Sequence, residues 1–152
     1  MGLTGKLAVE IEVKSSAKEY FHGWVNHGSL FSKALPDGLH KSEVHEGDGK
    51  SLGSINSYYY ILDGSTFASA KAKIVAIDEE HKSITLNAYD GHVGGLYSKY
   101  KVNTQVFTKN GKYFVKCTID YEKLSEEVPE PINYLDLKTR FCKGLDAHLL
   151  KA

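Results

Sequence analysis

The stretch PINYLDLKTRFCKGLDAHLLK, residues 131–151, decides the fold. Behind Pro129 and Pro131, the residues Tyr134, Leu137 or Lys138, Phe141, Leu145 and His148 recur every three or four positions, the spacing of one helical face. A proline near the first turn with Glu130 beside it suits a helix start, and Lys151 suits a helix end. The predicted element is one long amphipathic helix. Its interior glycine, Gly144, costs about 1 kcal/mol against alanine, so close packing or a bend is expected there.

Everything upstream reads differently. Leu7, Val9, Ile11 and Val13 alternate with Lys6, Glu10, Glu12 and Lys14, the period of a half-buried strand. Ser16 with Glu19 three residues on forms a capping box, and Tyr20, Phe21, Trp24 and Val25 follow at helical spacing. That helix stops near Asn26-His27-Gly28, and a second short one covers residues 30–35 before Pro36-Asp37-Gly38. Between Gly38 and Tyr121 the strand pattern returns, broken at residues 46–52, Asp63-Gly64, 78–81, 90–95 and 109–111, which implies six more strands. Asn110-Gly111 tolerates positive φ at both positions and predicts a two-residue hairpin between the last two. The fold class is therefore α+β: a seven-stranded antiparallel curved sheet around a long C-terminal helix, with two short helices between strands 1 and 2.

At 152 residues, with no internal repeat and no long linker, one domain over residues 1–152 is expected. Nineteen basic residues balance nineteen acidic ones, so nucleic acid and anionic membrane surfaces are poor partners. The opening residues 1–6 run straight into a charged alternating segment, so neither a signal peptide nor stable membrane insertion is expected. Lys6 stands where a myristoylation pattern needs Ser or Thr. Cys117 and Cys142 are far apart and belong to no Cys-x-x-Cys, a usage that suits free thiols in a reducing cytoplasm.

One long helix and two short ones give scant cover for the concave face of seven strands, and the unfilled gap is a ligand chamber, commonly about 300–1,000 Å³. Strand parity assigns its wall. Ile84, Leu86 and Ala88 oppose Thr85 and Asn87; Val115, Cys117 and Ile119 oppose Lys116, Thr118 and Asp120; Tyr100, Val102 and Thr104 oppose Lys99, Lys101 and Asn103. The aromatic-rich composition, with ten tyrosines, favours a chamber whose hydroxyls can orient a guest.

Other motifs carry less. Glu46-Gly47-Asp48-Gly49-Lys50-Ser51 falls short of a phosphate-binding loop because Val44 stands where glycine is needed, and no helix N-terminus is expected beside it. A tight glycine-rich hairpin accounts for it better. The seven histidines form no compact ligand set, so neither metal nor cofactor is expected.

Several motifs together resemble the Bet v 1 superfamily, and within it the major latex protein branch. They are Gly5-Lys6-Leu7 before Glu10-Ile11-Glu12-Val13-Lys14; His45-Glu46-Gly47-Asp48-Gly49 with Gly53-Ser54-Ile55; Asp90-Gly91-His92; Thr118-Ile119-Asp120-Tyr121-Glu122-Lys123; Glu127-Val128-Pro129-Glu130-Pro131; and Asp146-Ala147-His148-Leu149-Leu150-Lys151-Ala152. The resemblance spans essentially the whole chain. It implies a helix-grip fold, a cytoplasmic plant protein of the pathogenesis-related class 10 type with a role in the defence response, and reversible binding of a fatty acid, sterol or other secondary metabolite by a monomer.

Three consecutive tyrosines leave the parity of residues 55–62 open; comparison with the family favours Tyr58 and Tyr60 inside. The same reasoning sends Phe67 and Ser69 inward on the next strand and leaves Lys71 at the rim. Trp24, Phe31, Leu39, Tyr134, Leu137 and Phe141 complete the expected chamber. Binding, storage or transport of a small hydrophobic molecule is the leading function. The alternative is an isomerase or cyclase in the same cavity, with Tyr58, Tyr60, Tyr100 and Lys71 as proton-transfer candidates. A hormone receptor is not expected: where the superfamily's abscisic acid receptors carry Ser-Gly-Leu-Pro-Ala and His-Arg-Leu, this chain has residues 62–67 and Gly91-His92-Val93-Gly94-Gly95.

Overall fold

A computed structural model describes residues 3–36, 40–62 and 66–151. Leu39 and the break at Asp63-Gly64 lie outside the described residues. Seven antiparallel strands form one sheet in the order β1-β7-β6-β5-β4-β3-β2. They are β1 (Thr4–Val13), β2 (Lys41–Glu46), β3 (Ile55–Ile61), β4 (Phe67–Asp78), β5 (Ser83–Tyr89), β6 (Tyr97–Lys109) and β7 (Lys112–Lys123). Two short helices, α1 (Ala17–Val25) and α2 (His27–Ala34), carry the chain from one edge of the sheet to the other. A single turn, α3 (Gly91–Gly94), separates β5 from β6, and α4 (Ile132–Lys151) closes the fold.

Local chemistry sets these boundaries. The Ser16 hydroxyl accepts the Glu19 amide at 3.2 Å and donates to the Glu19 carboxylate at 3.0 Å, capping α1. Asn110 and Gly111 take φ of 53° and 76°, the left-handed pair that a two-residue hairpin between β6 and β7 requires. α1 and α2 share Asn26 as C-cap and N-cap, so a one-residue hinge stands where the sequence suggested a longer break.

Three sets of contacts hold α4 and the segment that leads into it. The Asp146 carboxylate accepts the Lys14 and Ser15 amides, each at 2.9 Å, and the Ser15 hydroxyl at 2.7 Å, which ties the helix to the exit of β1. The Tyr20 hydroxyl donates to the Cys142 carbonyl at 2.9 Å and joins α1 to it. At the other end the Tyr97 hydroxyl donates to the Pro129 carbonyl at 2.7 Å. Gly144 answers the question its sequence raised. A Cβ there would lie 1.8 Å from the Ala34 carbonyl oxygen, so close packing of α4 on the end of α2 excludes any side chain.

Candidate functional site

An internal cavity of about 60 Å³ lies between the concave face of the sheet and α4. That is room for about four to six waters, far less than the several hundred cubic ångströms expected from the sparse helical cover. The correction has a physical cause: aromatic rings projecting from both layers meet one another. Trp24 and Phe141 are edge-to-face at 5.0 Å, Phe31 and Tyr58 at 5.3 Å, and Tyr100 and Tyr134 at 5.4 Å. Such contacts contribute about 0.5–1.5 kcal/mol each beyond area burial, so the rings hold the chamber partly shut.

Of the residues expected in the wall, Trp24, Phe31, Tyr58, Tyr60, Leu86, Ala88, Tyr100, Val102, Tyr134, Leu137 and Phe141 border the cavity. Ile84, Thr104, Val115 and Cys117 point to the same side and are fully buried, but they lie beyond the cavity. There α4 fills the space: the Cys117 and Cys142 sulfurs are 3.5 Å apart, and the Thr104 hydroxyl is 3.7 Å from Cys117 Sγ. Leu145 is also completely buried.

Strand β4 corrects the expected parity. Phe67 is 72% exposed and, like Ser69, does not border the cavity, whereas Ala70 and Ala72 do. Register explains it, because paired residues of antiparallel strands share a face. Tyr58 pairs with Ala70 and Tyr60 with Ala68, while Tyr59 pairs with Ser69 and Ile61 with Phe67 on the outer face. The bulky tyrosines of β3 need small neighbours, and the alanines supply them. Lys71 also faces outward, opposite Ser57, with its ammonium 3.6 Å from Asp90.

Sequence reasoning missed His27 and Val93 as lining residues and offered Lys138 only as the alternative to Leu137 on the helical face, whereas both border the cavity. His27 was hidden in the break between the short helices. Its Nδ1 is 2.9 Å from the Trp24 carbonyl oxygen, so that nitrogen carries the proton and donates. Nε2 then accepts the Tyr58 hydroxyl at 2.5 Å, and Tyr58 Oη accepts from the Asn56 amide at 3.2 Å. Burial, and after it the Lys138 ammonium, lowers the His27 pKa to about 4, which keeps the ring neutral. A second polar group gathers on the far wall, where the Tyr134 hydroxyl is 2.7 Å from Tyr60 Oη and 2.8 Å from His92 Nδ1. Burial pushes Tyr60 up to about 12 and Tyr134 further. These hydroxyls stay protonated near neutrality. Tyr100 Oη is buried without a hydrogen-bond partner among the described residues, a state that costs about 1–3 kcal/mol.

Lys138 is the sole charged side chain of the lining among the described residues. Its Nζ stands 5.9 Å from the centroid of the Trp24 ring, and burial lowers its pKa. No carboxylate borders the cavity among those residues, so no acid–base pair of the glycosidase or protease kind can be assembled there.

The glycine-rich loop forms a separate open groove of about 280 Å³ with Asn26, Gly28 and Ser29. This corrects one expectation, since the N-terminus of α2 does stand beside the loop. The loop's amides are nevertheless occupied: Asp48 accepts Lys50 N at 2.9 Å and Ser51 N at 2.7 Å. The Ser51 hydroxyl, followed by those amides, holds the Asp48 carboxyl well below the usual range. The protein's own carboxylate thus takes the place a phosphate would need.

Residues 2–152 match the family model of the pathogenesis-related protein Bet v 1 family. MLP-like protein 43 of Arabidopsis thaliana is 37% identical over 97% of this chain and 94% of its own length. The crystal structure of ginseng major latex-like protein 151 from Panax ginseng superposes with a TM-score of 0.91 at 34% identity, covering 98% of this chain and 99% of that one. Norcoclaurine synthase from Thalictrum flavum, at 19% identity and a TM-score of 0.79 over 98% of this chain and 95% of that one, shares the fold alone.

Proposed function

Because the chain belongs to the pathogenesis-related Bet v 1 family, in its major latex protein branch, we propose that it binds a small hydrophobic or amphipathic metabolite for storage or transport. The observation that supports this reading is the aromatic-walled cavity between the sheet and α4, with a few hydroxyls and one amine turned into it. Apolar walls supply the driving force for a guest, and isolated polar groups supply orientation. A guest such as a fatty acid or sterol enters by swinging Tyr134, Phe141 or their neighbours aside. A monomer in the plant cytoplasm, serving the defence response, completes the proposal.

Trp24 is the only tryptophan and borders the cavity, so it reports on occupancy. Titration with dodecanoate and with a plant sterol should give saturable changes in its emission. Ala70→Phe, which fills the cavity from β4, should weaken them at least tenfold. Emission that stays flat with every probe refutes the reading. The isomerase or cyclase alternative draws on the fold shared with norcoclaurine synthase. It would have to use Tyr58, Tyr60 or Tyr100 as proton donors only, since burial holds all three hydroxyls protonated.

A further inference from the structure

The inward face of α4 carries Tyr134, Leu137, Lys138, Phe141, Cys142 and Leu145, and all but one of these suit a core. Lys138 does not. Lysine commonly runs its stem along an apolar surface and leaves its ammonium in water, but here Nζ lies against the Trp24 ring inside the chamber. At 5.9 Å that contact sits at the outer limit of a cation–π interaction and cannot replace a counter-ion. Among the described residues Lys138 has neither an ion pair nor a hydrogen-bond acceptor. The groups that face it are His27 on α2, Cys117 on β7 and Cys142 on α4. His27 accepts a proton from Tyr58 and donates one to a backbone carbonyl, so it offers Lys138 nothing. Lys138 is half-buried, and an amine drawn partly out of water onto an aromatic wall without an anion is stabilised by one that enters the site.

We propose that Lys138 is the anchor for a carboxylate, and that the natural guest is an acid whose apolar body lies against Trp24, Phe141 and the sheet. The inference rests on the cavity-binding function and narrows it. A cavity of about 60 Å³ is smaller than the roughly 150 Å³ that holds a benzene ring, so even a monocyclic aromatic acid enters only as the rings of the wall swing aside. The unpartnered Tyr100 hydroxyl on the opposite wall is independent support, since it too awaits a polar atom from a guest.

The test compares acids with alcohols of the same shape. Affinities of 3-phenylpropionate and 3-phenylpropanol, and of dodecanoate and dodecanol, are measured by calorimetry on the parent protein and on Lys138→Met. The parent should bind each acid at least tenfold more tightly than its alcohol, a difference of about 1.4 kcal/mol. Lys138→Met should bind acid and alcohol within about twofold, and its alcohol affinity should hold or improve because the unpaired amine is gone. Equal binding of acid and alcohol by the parent overturns the carboxylate anchor and leaves the cavity function standing. So does a preference for acids that persists in Lys138→Met. Failure of all four probes to bind the parent removes the cavity function, and the anchor with it.

Discussion

Gly144→Ala sets two forces against each other within one residue. Helix propensity alone says that alanine in the interior of α4 stabilises the protein by about 1 kcal/mol. The packing says the reverse, because the new methyl would sit 1.8 Å from the Ala34 carbonyl oxygen and 2.8 Å from its carbon. A carbon–oxygen contact needs about 3.3 Å, so α4 and the end of α2 must part by about 1.5 Å. Overpacking of this kind costs about 1–3 kcal/mol, and backbone cannot rotate away as a side chain can. Parting the helices also loosens the Phe31–Phe141 and Trp24–Phe141 ring contacts, at about 0.5–1.5 kcal/mol each. Taken against the propensity gain, the net loss is about 1–5 kcal/mol. Urea unfolding followed by helix dichroism and by Trp24 emission should show a midpoint lower by about 1 M. Ala147→Gly, at an exposed position of the same helix, calibrates the propensity term and should lose no more than about 1 kcal/mol. A Gly144→Ala protein that is more stable than its parent refutes the packing argument outright.

The remaining expectations concern buried groups. His27 titrates near 4 in the fold and near 6.5 when exposed, so the unfolded chain takes up the extra proton between those values. Stability is therefore fully present above about 6.5 and is lost as the pH falls, by about 2–3 kcal/mol at pH 4.5; His27→Phe should lose less over that window, and parallel curves for the two proteins would exclude it. Cys117 and Cys142 are both buried, and the contact with Cys117, then burial, pushes the Cys142 thiol well up. Neither should react with Ellman's reagent until denaturant opens the core; rapid labelling of either thiol in native buffer would contradict the packing of α4 on β7.

What the sequence revealed depended on how strongly each residue advertised its face. The hairpin at Asn110-Gly111, the cap at Ser16 and the helical face from Tyr134 to Leu145 are short-range signals, and each is realised in the fold. β4 was misread because Phe67 is large and apolar, while the residues that do line the cavity are alanines, which carry little pattern. Their inward placement follows from pairing with Tyr58 and Tyr60 one strand away, information that no single strand contains. Lys138 shared its place on the helical face with Leu137 but was left out of the wall, because a lysine on an amphipathic helix ordinarily marks its wet side. Val93 lay among glycines that read as a loop, yet it is 1% exposed. The size of the cavity was beyond reach, since it depends on how rings from different elements interlock.

The order of strands also bears on how the molecule comes into being. β1 pairs along its length with β7, Thr4 with Glu122 and Val13 with Tyr113, so its partner is synthesised about 100 residues later. At about 5–20 residues per second, the first strand waits roughly 5–20 s on the ribosome with its backbone unpaired. During that interval Leu7, Val9 and Ile11 have no partner strand, and Asp146, which later ties the exit of β1 to α4, has not yet been made. β1 is thus made long before the strand that satisfies it, and until β7 emerges its backbone is open to mispairing.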